Sequence, residues 1–118
     1  NHEQKASTLL TQSMKAHMRK EVALIAKLGP LPSESTASVE LLKQLDAAYR
    51  AIERPITDEE AIALVDVLGE DGCFGLASSL VHLIETAPSW PLLSCLKNVA
   101  NPWIVELRER AIRGGYPL

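Results

Sequence analysis

The sequence predicts an all-α protein of about six helices, arranged as an irregular bundle or as stacked helical hairpins of the HEAT type, with no sheet. Three observations predict it. Apolar residues recur at spacings of three and four along most of the chain, the period of a helix with one buried face. Pro and Gly gather in short clusters between those stretches, which marks turns. Aromatic residues make up only 4% of the chain against 47% apolar residues in all, so the core is aliphatic and suits helix-on-helix packing better than strands. At 118 residues the chain fits one helical domain spanning 1–118.

The first helix is expected over His2–Leu28, with Leu10, Met14, Met18, Val22, Ile25 and Leu28 on one face and a fraying, polar start at 1–8. Gly29-Pro30 ends it, and 29–37 is a Pro/Ser-rich loop. The second helix is expected over Ser38–Glu53, its stripe of Val39, Leu42, Leu45, Ala48, Tyr49 and Ile52 opposed by Lys43, Gln44, Asp46 and Arg50. After Arg54-Pro55, Thr57 opens a capping box closed by Glu60, and Asp58, Glu59 and Glu60 suit the positive end of a helix dipole. That third helix, Asp58–Leu68, is apolar almost all round and should be central, with Asp66 its one polar interruption.

A turn at Gly69–Gly72, with Asp71 as N-cap, leads into a fourth helix, Cys73–Thr86. Pro88 and Pro91 bracket Ser89-Trp90, and a short fifth helix is expected over Leu92–Val99. Asn101-Pro102 is a helix start signal, Asn capping and Pro preset at the first position. The last helix runs to Arg113 with Trp103, Leu107 and Ala111 inward and Gly114 as C-cap. The starts at Thr57 and Asn101 lie 44 positions apart, within the helical-repeat period of about 40–47 residues.

Charge is distributed less evenly than apolar residues. Between Ile56 and Leu96 lie seven carboxylates, Asp58, Glu59, Glu60, Asp66, Glu70, Asp71 and Glu85, and no Lys or Arg. Both flanks carry a surplus of cations, and the formal net charge of the chain is −3. A one-signed block makes an acidic face, which attracts basic partners. The alternative is a helix start and a solvated surface with no further role. A pI near 5.6 argues against direct nucleic-acid binding, which needs a basic stripe, and against adsorption to anionic membrane. No apolar run reaches the ~18–20 residues of a membrane span, no secretory signal opens the chain, and the cytoplasm is the expected compartment.

Chemistry-bearing motifs are sparse. Cys73 and Cys95 are too few for a disulfide framework or a four-thiolate zinc site and read as small buried hydrophobes. His82 and Glu85 share a helix face with Ser78 or Ser79 a turn back, which admits a base–orienter pair or two metal ligands, or simply a surface hydrogen bond. There is no nucleophile elbow and no phosphate-binding loop, and Gly69–Gly72 lacks the ligand pattern of a calcium site. No catalytic residue, cofactor or metal is therefore assigned. Trp90, between two prolines, is the candidate aromatic anchor beside the acidic residues, and Trp103 reads as structural.

The segments Pro55-Ile-Thr-Asp-Glu-Glu-Ala-Ile-Ala-Leu, Gly72-Cys-Phe-Gly-Leu-Ala-Ser-Ser-Leu-Val-His-Leu-Ile-Glu-Thr-Ala-Pro, Ser89-Trp-Pro and Asn101-Pro-Trp-Ile together resemble small all-helical bacterial immunity proteins. These occur beside the toxins of contact-dependent growth inhibition and other polymorphic toxin systems. The resemblance covers about half the chain, 55–115, and no part of 1–54. It implies a cytoplasmic protein that binds and neutralises a cognate toxin domain, in many cases a basic nuclease. The partner-binding candidates are then Asp58, Glu59, Glu60, Asp66, Glu70, Asp71, Glu85 and Trp90. Rival readings are a helical adaptor holding a peptide or protein in a groove, an enzyme using His82 with Glu85 or Asp66, and a homodimer zipped through the first helix.

Overall fold

Within the computed structural model, residues 18–116 are described. Five α-helices are present among them and no strand: α1 (Lys20–Leu28), α2 (Val39–Arg50), α3 (Asp58–Val65), α4 (Leu76–Ile84) and α5 (Pro102–Arg113). A single 3-10 turn, Leu93–Cys95, stands between α4 and α5. α1 packs on α2 and α3 on α4; α1 also lies against α3, and α5 closes on α4. One apolar cluster joins them, built around Ile25, Leu45, Ile56, Leu64, Leu80, Leu83, Leu96 and Leu107.

Local chemistry sets the helix starts. Ser38 Oγ accepts the Leu41 amide at 3.1 Å at the head of α2. Thr57 and Glu60 form the expected capping box of α3. Asn101 Oδ1 accepts the Trp103 amide at 2.8 Å, and its Nδ2 donates to the Leu68 carbonyl at 2.9 Å, so one side chain caps α5 and ties it to the end of α3.

Several boundaries differ from the expected ones. The stretch 2–17 of the expected first helix, with Leu10 and Met14, lies outside the described residues; Met18 is in a bend and α1 begins at Lys20. Val22 and Ile25, assigned to a dimer seam, are buried within this chain. α3 stops at Val65, where the amides of Val67 and Leu68 turn back to the carbonyls three residues earlier, Leu64 and Val65; beyond that tightened turn Leu31 N donates to Val67 O and Asn101 Nδ2 to Leu68 O. α4 starts three residues later than expected. Cys73, Phe74 and Gly75 have φ of 45°, 54° and 89°, a left-handed run that no right-handed helix contains. Asp71 is accordingly no N-cap; its Oδ1 accepts the Cys73 amide at 3.0 Å. The expected helix over Leu92–Val99 is only the 3-10 turn, since Leu92 also has positive φ. On α5, Trp103 packs half-buried against the core, its indole Nε1 donating to the Asp71 carbonyl at 3.0 Å, and Ile104 is buried beside the expected Leu107 and Ala111. Gly114 is the C-cap of α5, as expected, with φ −81°; the left-handed residue is Gly115.

Candidate functional site

The seven carboxylates of the acidic block divide into two groups. Glu60 has no exposed surface. Its Oε2 accepts the Arg19 amide at 3.0 Å and Arg19 Nε at 2.8 Å, and its Oε1 accepts the Thr57 amide at 2.8 Å. Burial pushes its carboxyl up, but the donated bonds from Thr57 and Arg19, with the guanidinium charge, outweigh that and hold it below the ordinary value. Arg19 also donates to the carbonyls of Glu53 and Pro55. Glu60 is therefore a fastening inside the fold, and this corrects its assignment to the partner-binding surface.

Three more carboxylates have partners within the chain. Asp58 Oδ1 accepts the Ser89 amide at 2.9 Å, and bonds from the Ser89 hydroxyl and amide hold its carboxyl low. That contact ties the Pro88–Pro91 loop to α3 and holds Trp90 half-buried against the core. Asp71 accepts the amides of Cys73 and Glu34, both at 3.0 Å. Glu85 is neutralised by Arg110, whose Nη2 and Nε lie 2.6 and 2.9 Å from its Oε1. That cation comes from α5, and helical spacing along α4 gives no sign of it.

Glu59, Asp66 and Glu70 remain. All three are exposed and carry no ion pair among the described residues. Glu59 and Asp66 stand seven positions apart, two turns along one face, with Ile62 between them. Ile62 is 40% exposed, so the third helix, apolar almost all round in sequence, buries Ala61, Leu64 and Val65 but leaves this face open. The 3-10 turn lies beside Asp66: the Cys95 thiol is pushed up by burial and further by the Asp66 charge. Leu93 of the same turn is exposed. Glu70 lines a shallow cleft of about 260 Å³ with Asn98 and Asn101. Glu59, Ile62 and Asp66 thus share one exposed face of α3, and Glu70 follows in the turn beyond it.

A larger groove of about 550 Å³ opens elsewhere, between α2 and the turn preceding α4. Tyr49, Leu42, Phe74 and Leu76 line it, and Cys73 forms part of its wall. The left-handed Phe74 projects its ring outward with 65% exposure. Two carboxylates hold that turn in shape, Glu34 Oε1 accepting the Phe74 amide at 2.9 Å and Asp71 the Cys73 amide. The Cys73 thiol is pushed up by burial and then by the charges of Asp71 and Glu34. Apolar spacing alone puts Phe74 inside the fourth helix and hides the groove; Gly72 and Gly75 on either side are the available sign of a turn.

His82 is exposed, with Nδ1 3.4 Å from Arg110 Nη2 and 3.8 Å from Glu85 Oε1. The guanidinium, and not the imidazole, holds the Glu85 carboxylate. Ser79 Oγ donates to the Gly75 carbonyl at 3.2 Å, away from any base. Among the described residues no three His, Cys, Asp or Glu are grouped to hold a metal ion, and no helix is long and apolar enough to cross a membrane. Among the described residues the arrangement offers charge and shape for binding, with no assembled acid–base pair. Compared with known proteins, the chain matches no family profile, no curated protein and no solved structure.

Proposed function

We propose that this chain is a toxin-immunity protein that captures a basic, nuclease-type toxin domain on the anionic edge formed by Glu59, Asp66 and Glu70. One observation carries the reading: three exposed carboxylates on or beside one helix face have no cation of this chain paired to them among the described residues. A nuclease presents cations to bind phosphate, and an unneutralised acidic edge can meet them in place of nucleic acid. Opposite charge speeds the encounter, and Ile62 and Leu93 supply apolar contact that slows release. On this reading the chain is no enzyme, needs no cofactor, and acts in the cytoplasm of the cell that makes the toxin. Asp58 and Asp71 add to the field while their oxygens serve the fold, and Trp90 stiffens the adjoining loop.

A peptide-binding adaptor is the second reading. The groove beside Phe74 favours it, and so does the pairing of α1 with α2 and α3 with α4, which fits stacked helical hairpins of the HEAT kind. Co-expression with the C-terminal domain of the protein encoded immediately upstream tests the first reading. Cell survival and a stoichiometric complex are the expected result. Toxicity unrelieved by this chain, with no complex, sinks the immunity reading and leaves the adaptor.

A further inference from the structure

We infer that the groove between α2 and the Cys73–Gly75 turn seats a large apolar side chain from a basic segment of a protein partner, with Phe74 as its principal contact. The inference rests on the reading of this chain as a binder of basic proteins and adds a second point of contact, beside the turn that Asp71 holds.

Three features converge on it. Phe74 is the chain's only phenylalanine, yet 65% of it is exposed. A core of aliphatic residues with an aromatic ring left outside is the reverse of what burial alone would select. The backbone holds it there at a cost, since Cys73 and Phe74 both adopt left-handed conformations that non-glycine residues avoid. Beside the ring lies an apolar slot lined by Leu42, Tyr49 and Leu76, large enough at about 550 Å³ to take a side chain and the backbone carrying it.

Charge complementarity selects the occupant. Glu34 and Asp71 lie against the turn, bonded to the amides of Phe74 and Cys73, and neither has a cation paired to it among the described residues. Asp46 stands on the groove wall, and Arg50, the one cation lining the groove among the described residues, is already bonded to it at 2.8 Å. A second cation, Arg54, donates to the Tyr49 hydroxyl at 3.2 Å, so Glu34, Asp46 and Asp71 stand against Arg50 and Arg54 and the surroundings stay net negative by one charge. A second copy of this chain would bring the same negative surroundings to the contact, and an acidic peptide would be repelled. A segment with an aromatic or long aliphatic residue next to Lys or Arg satisfies both the slot and its rim.

The test does not require the toxin to be identified. A dodecamer peptide library displayed on phage is selected against the full chain and counter-selected against its Phe74→Ala variant. Enrichment of peptides pairing a large apolar residue with Lys or Arg is expected. A synthetic peptide of that kind should bind the parent, shift the amide resonances of Leu42, Tyr49 and Phe74, weaken with added salt, and lose at least about tenfold in affinity on Phe74→Ala. Phe74→Gly is the second variant, because glycine accepts the left-handed φ and removes the ring: it should fold with the parent's circular dichroism and still fail to bind. Three results overturn the inference: no enrichment, enrichment of acidic or uncharged peptides, or peptides that bind Phe74→Gly as well as they bind the parent. Failure of the co-expression test together with success here would reject the toxin as partner and keep the groove.

Discussion

A carboxylate without exposed surface costs several kcal/mol to desolvate unless donors replace its water, and Glu60 meets that condition with three donated bonds. Two of the three come from Arg19, which is 41 positions away in sequence. Arg19→Ala removes the guanidinium and leaves the charge buried, so a loss of about 3 kcal/mol is expected in denaturant melts. Arg19→Lys should fall between the two, because an ammonium cannot reach Glu60 and the Glu53 and Pro55 carbonyls as a planar fork does. The pH dependence has a definite sign. Glu60 titrates lower in the folded chain than in the unfolded one, so its contribution is complete above the unfolded value of about 4.3 and is lost as pH falls through the folded value. Glu60→Gln should flatten that acid limb of the stability curve. Equal acid slopes for parent and variant would remove Glu60 as the group responsible.

Between one element and the next, backbone meets backbone at one place, and side chains meet backbone at others. The turn after α3 passes so close to the 29–32 segment that a Cβ on Gly69 would run into the Leu31 carbonyl oxygen, while Leu31 N is bonded to Val67 O at 2.8 Å. Gly69→Ala must push backbone against backbone and should cost about 2 kcal/mol by thermal melting. Gly75→Ala meets open space and only the penalty of its positive φ, about 1 kcal/mol. The reverse order of melting temperatures would mean that the close approach at Gly69 does not exist. The same contrast between local and distant contacts explains what is legible in the sequence. Ser38, Thr57 with Glu60, and Asn101-Pro102 announce their helices because a cap lies within three residues of the amide it satisfies. The Gly72–Gly75 turn is only half legible: its two glycines signal it, but Cys73 and Phe74 are apolar and look like a helix start, and nothing local reveals that Glu34, 40 positions away, accepts the Phe74 amide. Glu85 misleads for the same reason, since its cation sits 25 positions on, on another helix.

At the scale of the whole molecule the net charge of −3 matters less than where unpaired charge is left. Of the seven carboxylates in the block, Asp58, Glu60, Asp71 and Glu85 hold the structure together, and Glu59, Asp66 and Glu70 do not. The acidic run is plain in the sequence and so is the Glu60 capping box; the rest of the division into structural and surface charges is not, because Arg19, Ser89, Glu34 and Arg110 reach these carboxylates from distant segments. The division makes a sharp prediction. Changing Glu59, Asp66 and Glu70 together to Lys moves the formal net charge from −3 to +3, two units for each reversal. Stability should change little, the main cost being about 0.5 kcal/mol for a cation at Glu59 in the first turn of α3. Capture of a basic toxin domain should slow by at least about tenfold, and the salt dependence of the association rate should vanish or reverse. Asp71→Lys should act differently, breaking the Cys73 and Glu34 contacts and disturbing the turn itself. A stopped-flow comparison of the two variants at low and high salt, beside their melting curves, separates the roles. If the triple reversal leaves the association rate unaltered, the exposed edge is solvated surface and electrostatic capture is wrong. If it melts far below the parent, these carboxylates stabilise the fold through long-range attraction to the cationic flanks, and the partition drawn from their bonds is mistaken.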